Sequence, residues 1–245
     1  MAADRARPGA PWHRPPIHTA PRRQLEKSFD VTAPRVDNRP VNNHSRTDFF
    51  TKPTLVGEKV TLRPFLLEED APVLRALLQD PEVGRLTGSV HGPADPEPWD
   101  EAAERRMREW YGTRNEQPDR LDLAVVDRVS GACVGEAVLN EWDDGNRSCN
   151  FRIALATTGQ NRGLGTEAVR LMVGYGFERL GLHRISLTVF DFNPRARRAY
   201  EKVGFVKEGV HRDVLFYDGA WVDDVVMSIL APEWERHCGH PESIN

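Results

Sequence analysis

Cys149-Asn150-Phe151-Arg152-Ile153-Ala154-Leu155-Ala156, followed by Gln160-Asn161-Arg162-Gly163-Leu164-Gly165-Thr166, is the stretch whose reading decides the fold. In the first part Phe151, Ile153 and Leu155 alternate onto one face, the period-two pattern of a strand. Past the second part, Ala168, Leu171, Met172 and Tyr175 recur three or four residues apart, the stripe of an amphipathic helix. A strand therefore feeds a glycine-bearing loop that opens a helix. The first N–H groups of a helix have no intrahelical partner, and the helix dipole favours negative charge there. Glycines admit a ligand close to the backbone and Arg162 adds a cation, so the stretch is a candidate phosphate cradle.

Three readings of that cradle are open on the residues alone. One is an ordinary strand-to-helix connection that uses glycines for turning. The second is a dinucleotide fold: Gly163, Gly165 and Ala168 fit G-x-G-x-x-G/A, and Asp191 ends the next strand-like run where a ribose-binding acid belongs. Against it, the six residues Thr157 to Arg162 separate the strand from the first glycine, and no repeated strand–helix units lie upstream. A nucleotide P-loop is excluded, since no G-x-x-x-x-G-K-[ST] occurs. The third reading is a pyrophosphate site for coenzyme A.

Gln160-x-x-Gly163-x-Gly165 after a strand resembles the acetyl-CoA signature of the GNAT acyltransferase superfamily. Downstream, Asn193-Pro194-Arg195-Ala196-Arg197-Arg198-Ala199-Tyr200-Glu201-Lys202-Val203-Gly204-Phe205 resembles the superfamily's asparagine, helix, tyrosine and Gly-Phe block. The opening Val60-Thr61-Leu62-Arg63-Pro64-Phe65 and the ending Asp213 to Leu230 are similar to its RimJ/RimL-like branch, which contains ribosomal-protein N-terminal acetyltransferases. The resemblance covers roughly residues 54 to 231.

That resemblance implies an α/β (α+β) fold: a mixed, mostly antiparallel sheet of about seven strands, helices on both faces, and a central parallel pair that splays apart. It implies acetyl-CoA as co-substrate, a primary amine as acceptor (a protein N-terminus or a small molecule), and direct transfer in a ternary complex with no metal. Carried onto this chain, Leu155 and Thr157 would offer backbone to the pantetheine arm. Arg162, Gly163, Leu164, Gly165 and Thr166 would hold the pyrophosphate, and Asn193 would hydrogen-bond the pantetheine. Tyr200 would be the general acid, since a phenol is protonated at neutral pH and can donate to a departing thiolate. On spacing alone the same tyrosine belongs to a core stripe with Ala196, Ala199 and Val203.

The general base is harder to place. Members of the branch often carry glutamate where Asn150 stands, and an amide cannot accept a proton at neutral pH. Glu136 and Glu141, on or beside the neighbouring strand, are the nearest replacements, with a solvated or structural carboxylate as the alternative for each. Arg152 shares a face with Ala154 and points either into the cleft or into an ion pair, and His183 and His211 qualify by residue type only. The missing glutamate keeps a function of another class open, a non-catalytic acyl-CoA-binding module.

Composition bounds the rest. The 245 residues suffice for one sizeable core plus an extension. No apolar run approaches the roughly 18 residues that span a bilayer, so no membrane partner is expected. Residues 1–52 hold ten Lys/Arg and five Asp/Glu, a net of +5, which leaves −9 in residues 53–245 against the total of −4. An acidic domain suits a cationic acceptor and lacks the basic face that nucleic acid requires. Cys133, Cys149 and Cys238 show no metal or redox spacing, and buried reduced thiols fit a cytoplasmic location. A homodimer stays open beside a monomer.

Taken in order, residues 1–52 are rich in proline and arginine without apolar periodicity, and are expected to be disordered. The acetyltransferase domain is expected over 53–232 and a tail over 233–245. Its elements are a strand near Glu58–Phe65, a helix Glu68–Leu78 with Pro72 in its first turn, and a short segment from Asp80-Pro81. A Gly/Pro-rich loop spans Thr87 to Pro98, and a helix Trp99–Tyr111 follows. In the family these first helices wall the acceptor pocket. Strands Leu121–Asp127, Ala132–Glu141 and Cys149–Ala156 come next, then the cradle helix to about Leu180. Strand Arg184–Phe190, helix Pro194–Val203, a strand from Phe205, a turn at Asp218-Gly219 and a strand Trp221–Leu230 complete the domain.

Overall fold

The computed structural model describes residues 49–93 and 98–238. Residues 1–48, part of the Thr87–Pro98 loop and the last residues of the expected tail lie outside them. Within the described residues eight strands form one sheet in the order β1-β2-β3-β4-β5-β6-β8-β7. They are β1 (Leu55–Val56), β2 (Val60–Arg63), β3 (Leu121–Asp127), β4 (Cys133–Asp143), β5 (Ser148–Leu155), β6 (Arg184–Phe190), β7 (Val206–Tyr217) and β8 (Ala220–Leu230). The eighth strand, beyond the expected seven, is the two-residue β1, which hydrogen-bonds Leu55 and Val56 to Leu62 and Thr61. Every neighbouring pair is antiparallel except β5 and β6.

Helices cover both faces because the strands carry two apolar rows. One row, with Leu121, Leu123, Ala137, Leu139, Phe151, Ile185, Leu187 and Met227, packs under α4 (Leu164–Glu178), α5 (Pro194–Val203) and α6 (Ala231–Cys238). The opposite row is shorter: Ala124, Cys133 and Ala154 meet Phe65, just before α1, and Leu74, Leu77, Met107 and Tyr111 from α1 (Leu67–Gln79) and α3 (Glu101–Gly112). Between α1 and α3, α2 (Pro81–Thr87) is capped by Asp80, whose Oδ1 accepts the N–H of Glu82 and Val83.

Two local readings are corrected. Helix α1 starts one residue before the expected Glu68 because Asp70, fully buried and paired with Arg63, accepts the Leu66 N–H at 2.8 Å. Pro72, the sixth residue of the helix, falls inside it rather than in its first turn and removes one i→i−4 bond. At the far end, α6 is a helix the apolar pattern did not mark. Trp234 anchors it in the core, its indole N–H on Glu178 Oε1 at 3.0 Å. Phe49 is likewise buried in the main core.

Candidate active site

The cradle is built as the strand–loop–helix pattern requires. Gly163 caps α4 with φ +81°, a left-handed conformation that glycine adopts without penalty. Among the described residues no side chain caps the helix start. Leu164 turns inward and is buried in the main core, so this loop offers ligands backbone rather than side chains. Gly165 lies against β5: a methyl group placed on it would sit 3.1 Å from Leu155 Cδ1. The Glu167 carboxylate, in the first helical turn, accepts the backbone N–H groups of Glu58, Lys59 and Val60 at 2.7, 2.8 and 2.9 Å. It thereby ties the helix start to the β1–β2 turn. Arg162 reaches the other way, Nη1 lying 2.9 Å from Oδ2 of buried Asp127.

Beside the cradle the sheet opens. The parallel pairing of β5 with β6 runs only from Ser148–Arg184 to Asn150–Ser186, although the strands continue to Leu155 and Phe190. Ala156 N–H bonds to Val134 O, so on β5 the even-numbered residues bond towards β4. By alternation the backbone groups of Phe151, Ile153 and Leu155 look across the open seam. Gln160 ties the cradle loop to β5 and α5: its Nε2 donates to Leu155 O at 3.0 Å, and its Oε1 accepts from Arg195 Nη1 at 2.8 Å. Thr157, in a short 3₁₀ turn, donates to Asp80 Oδ2 at 3.4 Å. Asn193 uses its Oδ1 to cap α5 through the Ala196 N–H. Tyr200 is buried just past the fork, edge-on to Phe151 with ring centroids 6.3 Å apart and tilted against Phe205. Burial pushes its phenol up to about 12.

The opposite face of the same strands carries charge. Glu136 stands between Ala124 of β3 and Ala154 of β5, with Asp122 and Arg152 one diagonal step away on either side. The Tyr111 phenol of α3 lies beside it. Burial first, and the Asp122 charge second, push the Glu136 carboxyl up to about 7, against the pull of Arg152, Tyr111 and Arg120. Asp122 itself is held by Arg120 through two hydrogen bonds of 2.7 Å. Burial lowers the Arg152 pKa. Asn150, on this face at the last rung before the fork, donates to Asn140 Oδ1 at 3.1 Å.

Glu141 stands apart from this cluster. It lies exposed where β4 bulges, at φ +54°. His183 is exposed at the start of β6, and His211 pairs with Asp224 of β8 at 3.0 Å. Tyr111 and Asp122 were missed as site residues. Asp122 left a trace in the sequence, an acid inside the otherwise apolar run Leu121-Asp122-Leu123-Ala124-Val125-Val126.

A strand pair held at one end and open at the other, beside a glycine-opened helix start, is the arrangement expected of a GNAT-type acyltransferase. The comparisons agree. Residues 59–206 match the acetyltransferase (GNAT) domain profile, and the chain belongs to that family. The SPbeta prophage-derived uncharacterized N-acetyltransferase YokL of Bacillus subtilis is 27% identical over 183 residues, 75% of this chain and 96% of its own. A second B. subtilis protein, provisionally named ribosomal N-acetyltransferase YdaF, is 30% identical over 74% of this chain and 96% of its own. Among solved structures, spermidine N-acetyltransferase from Vibrio cholerae, in complex with CoA and spermine, superposes with a TM-score of 0.62. It is 25% identical and covers 73% of this chain and 99% of that one. The protein is an N-acetyltransferase.

Proposed function

We propose that this chain moves an acetyl group from acetyl-CoA to a primary amine by direct attack in a ternary complex, as the RimJ/RimL-like branch does. The observation that carries this is the fork after Asn150–Ser186, which among the described residues leaves one edge of β5 without strand partners between the Gly163 cradle and the Glu136 cluster. The backbone of the cradle, Gly163 to Thr166, takes the diphosphate, and the seam edge at Phe151, Ile153 and Leu155 takes the pantetheine arm. Asn193, at the end of the crossover, contributes the amide of its capping side chain.

Glu136 is the base. With its carboxyl near 7 it is substantially ionised at neutral pH and still basic enough to take a proton from an amine during attack. The amine nitrogen bonds to the thioester carbon, the C–S bond breaks, and the amine's proton passes to Glu136. Tyr200 supplies the proton for the departing sulfur. Its phenol, pushed by burial up to about 12, is protonated at neutral pH and can donate to that sulfur. Asn150 needs no proton-accepting role in this scheme. Glu141, exposed on its bulge, is the weaker candidate base.

The acceptor is a protein N-terminus or a small-molecule amine, the former suggested by the YdaF likeness and the latter by the spermidine enzyme. The free, buried Cys133 and Cys149 suit the reducing cytoplasm. Supplying acetyl-CoA with a panel of peptides, polyamines and amino sugars, and following thiol release, tests the proposal. Turnover on any of these amines supports it. Coenzyme binding without turnover on every amine would favour the non-catalytic module instead.

A further inference from the structure

We infer that Lys59, in the turn between β1 and β2, is the cation that grips the coenzyme A diphosphate, the place the sequence pattern gives to Arg162. The inference rests on the coenzyme reading above and adds a residue from outside both sequence motifs.

Arg162 is already committed. Its Nη1 lies 2.9 Å from Asp127 Oδ2 and also donates to Thr158 O at 3.3 Å. Asp127 is buried at the end of β3 and further held by the Val129 N–H and the Ser130 hydroxyl. The hydrogen bond from Arg162 keeps the Asp127 carboxyl below the usual range, so the two charges cancel at neutral pH. Arg128, the next cation on this rim, donates to the carbonyls of Gly57 and Glu58.

Lys59 is placed differently. Its backbone is fixed to the start of α4, because Glu167 accepts the N–H groups of Glu58, Lys59 and Val60. Its side chain lies over the cradle glycine: a methyl group on Gly163 would meet Lys59 Nζ at 3.1 Å and Cδ at 4.0 Å. Among the described residues the ammonium has neither an ion pair nor a hydrogen bond. The nearby Glu167 carboxylate is occupied by three backbone donors. A cation at the N-terminal end of a 15-residue helix faces the positive end of the dipole, which opposes it. An anion seated on the Gly163–Thr166 amides reverses the sign, since helix and lysine then attract the same group. Lysine also meets a diphosphate as a point charge and needs no planar fork to do so.

Calorimetric titration of the full chain with coenzyme A and with 3′-dephospho-coenzyme A tests the inference. Lys59→Ala should weaken both ligands by roughly tenfold or more, the loss of one charge-assisted contact. Lys59→Arg should restore most of that loss, and thermal unfolding should be unchanged in both variants because the side chain is exposed. The double variant Asp127→Asn/Arg162→Gln, which removes the ion pair without altering net charge, should bind within about threefold of wild type, under 1 kcal/mol. Unchanged affinity in Lys59→Ala would overturn the inference. So would a loss confined to coenzyme A, which would put Lys59 on the 3′-phosphate. A double variant as weak as Lys59→Ala would return the role to Arg162. Wild-type protein that binds neither ligand would overturn the coenzyme reading itself, and the inference with it.

Discussion

The Tyr111 phenol of α3 and the Glu136 carboxyl of the central strand β4 act on each other: the carboxylate raises the phenol's pKa and the phenol lowers the carboxyl's. Tyr111 is fully buried and packs edge-on against Phe65, with ring centroids 5.2 Å apart. The phenol favours the ionised form of Glu136 and partly opposes the burial that raises its pKa. If Glu136 is the base, kcat/KM should fall as pH drops through about 7, where it protonates. Tyr111→Phe keeps the ring and removes the hydroxyl. The acid limb should then move to higher pH, by about one unit. A pH–rate profile of the two proteins checks this, and an unmoved limb would separate Tyr111 from the base.

The same carboxyl makes a prediction about stability. Its pKa is higher in the folded protein, about 7, than the ordinary 4.5. Between those values the folded state holds a proton that the unfolded state has released. Stability from this group is therefore present in full below about 4.5 and lost as pH rises through about 7. The loss amounts to about 3 kcal/mol at most. Glu136→Gln does not titrate and keeps the shape, so its stability curve should lack this fall. Urea unfolding should find it more stable than wild type at pH 8 and closer to wild type at pH 5. Activity should drop by about 100-fold or more.

Local chemistry made much of the fold legible in the sequence. Helix α5 has the bounds expected from the sequence, Pro194–Val203, because Asn193 caps one end and Gly204, at φ +108°, closes the other. Both signals lie in the residues themselves. Strand β6, a short apolar run between turns, is equally plain. The candidate site was half legible. The cradle is one contiguous stretch and could be read directly. The Glu136 cluster joins Tyr111, Asp122 and Arg152 from three elements, and only the β3–β4–β5 register sets them side by side. Lys59 escaped because it reaches the cradle from the β1–β2 turn, far off in sequence, and Gln160 is legible as the head of the motif but not for its bond to a carbonyl five residues back. Strand β7 is a sheet edge exposed along most of its length, so its alternation is weak and its bulges unmarked.

Tyr200 separates a core role from a chemical one. Its ring fills space against Phe151 and Phe205, and phenylalanine would preserve both contacts. Tyr200→Phe should unfold within about 1 kcal/mol of wild type and lose about 100-fold in the acetyl-transfer step, measured by single-turnover thiol release. A variant that keeps its rate would leave Tyr200 as packing alone.

Glu167 and Gly57 form a clasp that a mutant cycle can isolate. The carboxylate of Glu167 collects three backbone donors from the β1–β2 turn, and Gly57 leaves the room for it. A methyl group on Gly57 would lie 2.7 Å from Glu167 Cδ and 2.8 Å from its Oε1, too close for the carboxylate to stay. Glu167→Ala should cost about 2 kcal/mol or more, because charge-assisted bonds are lost and three N–H groups turn to water. Gly57→Ala should cost a similar amount by pushing the same carboxylate aside. If that is the mechanism, the second substitution does nothing further once the first is made. The double variant should then match Glu167→Ala rather than the sum, a coupling of about 2 kcal/mol in urea unfolding. Additive losses would mean that Gly57 matters for its own backbone and that the clasp is not one unit.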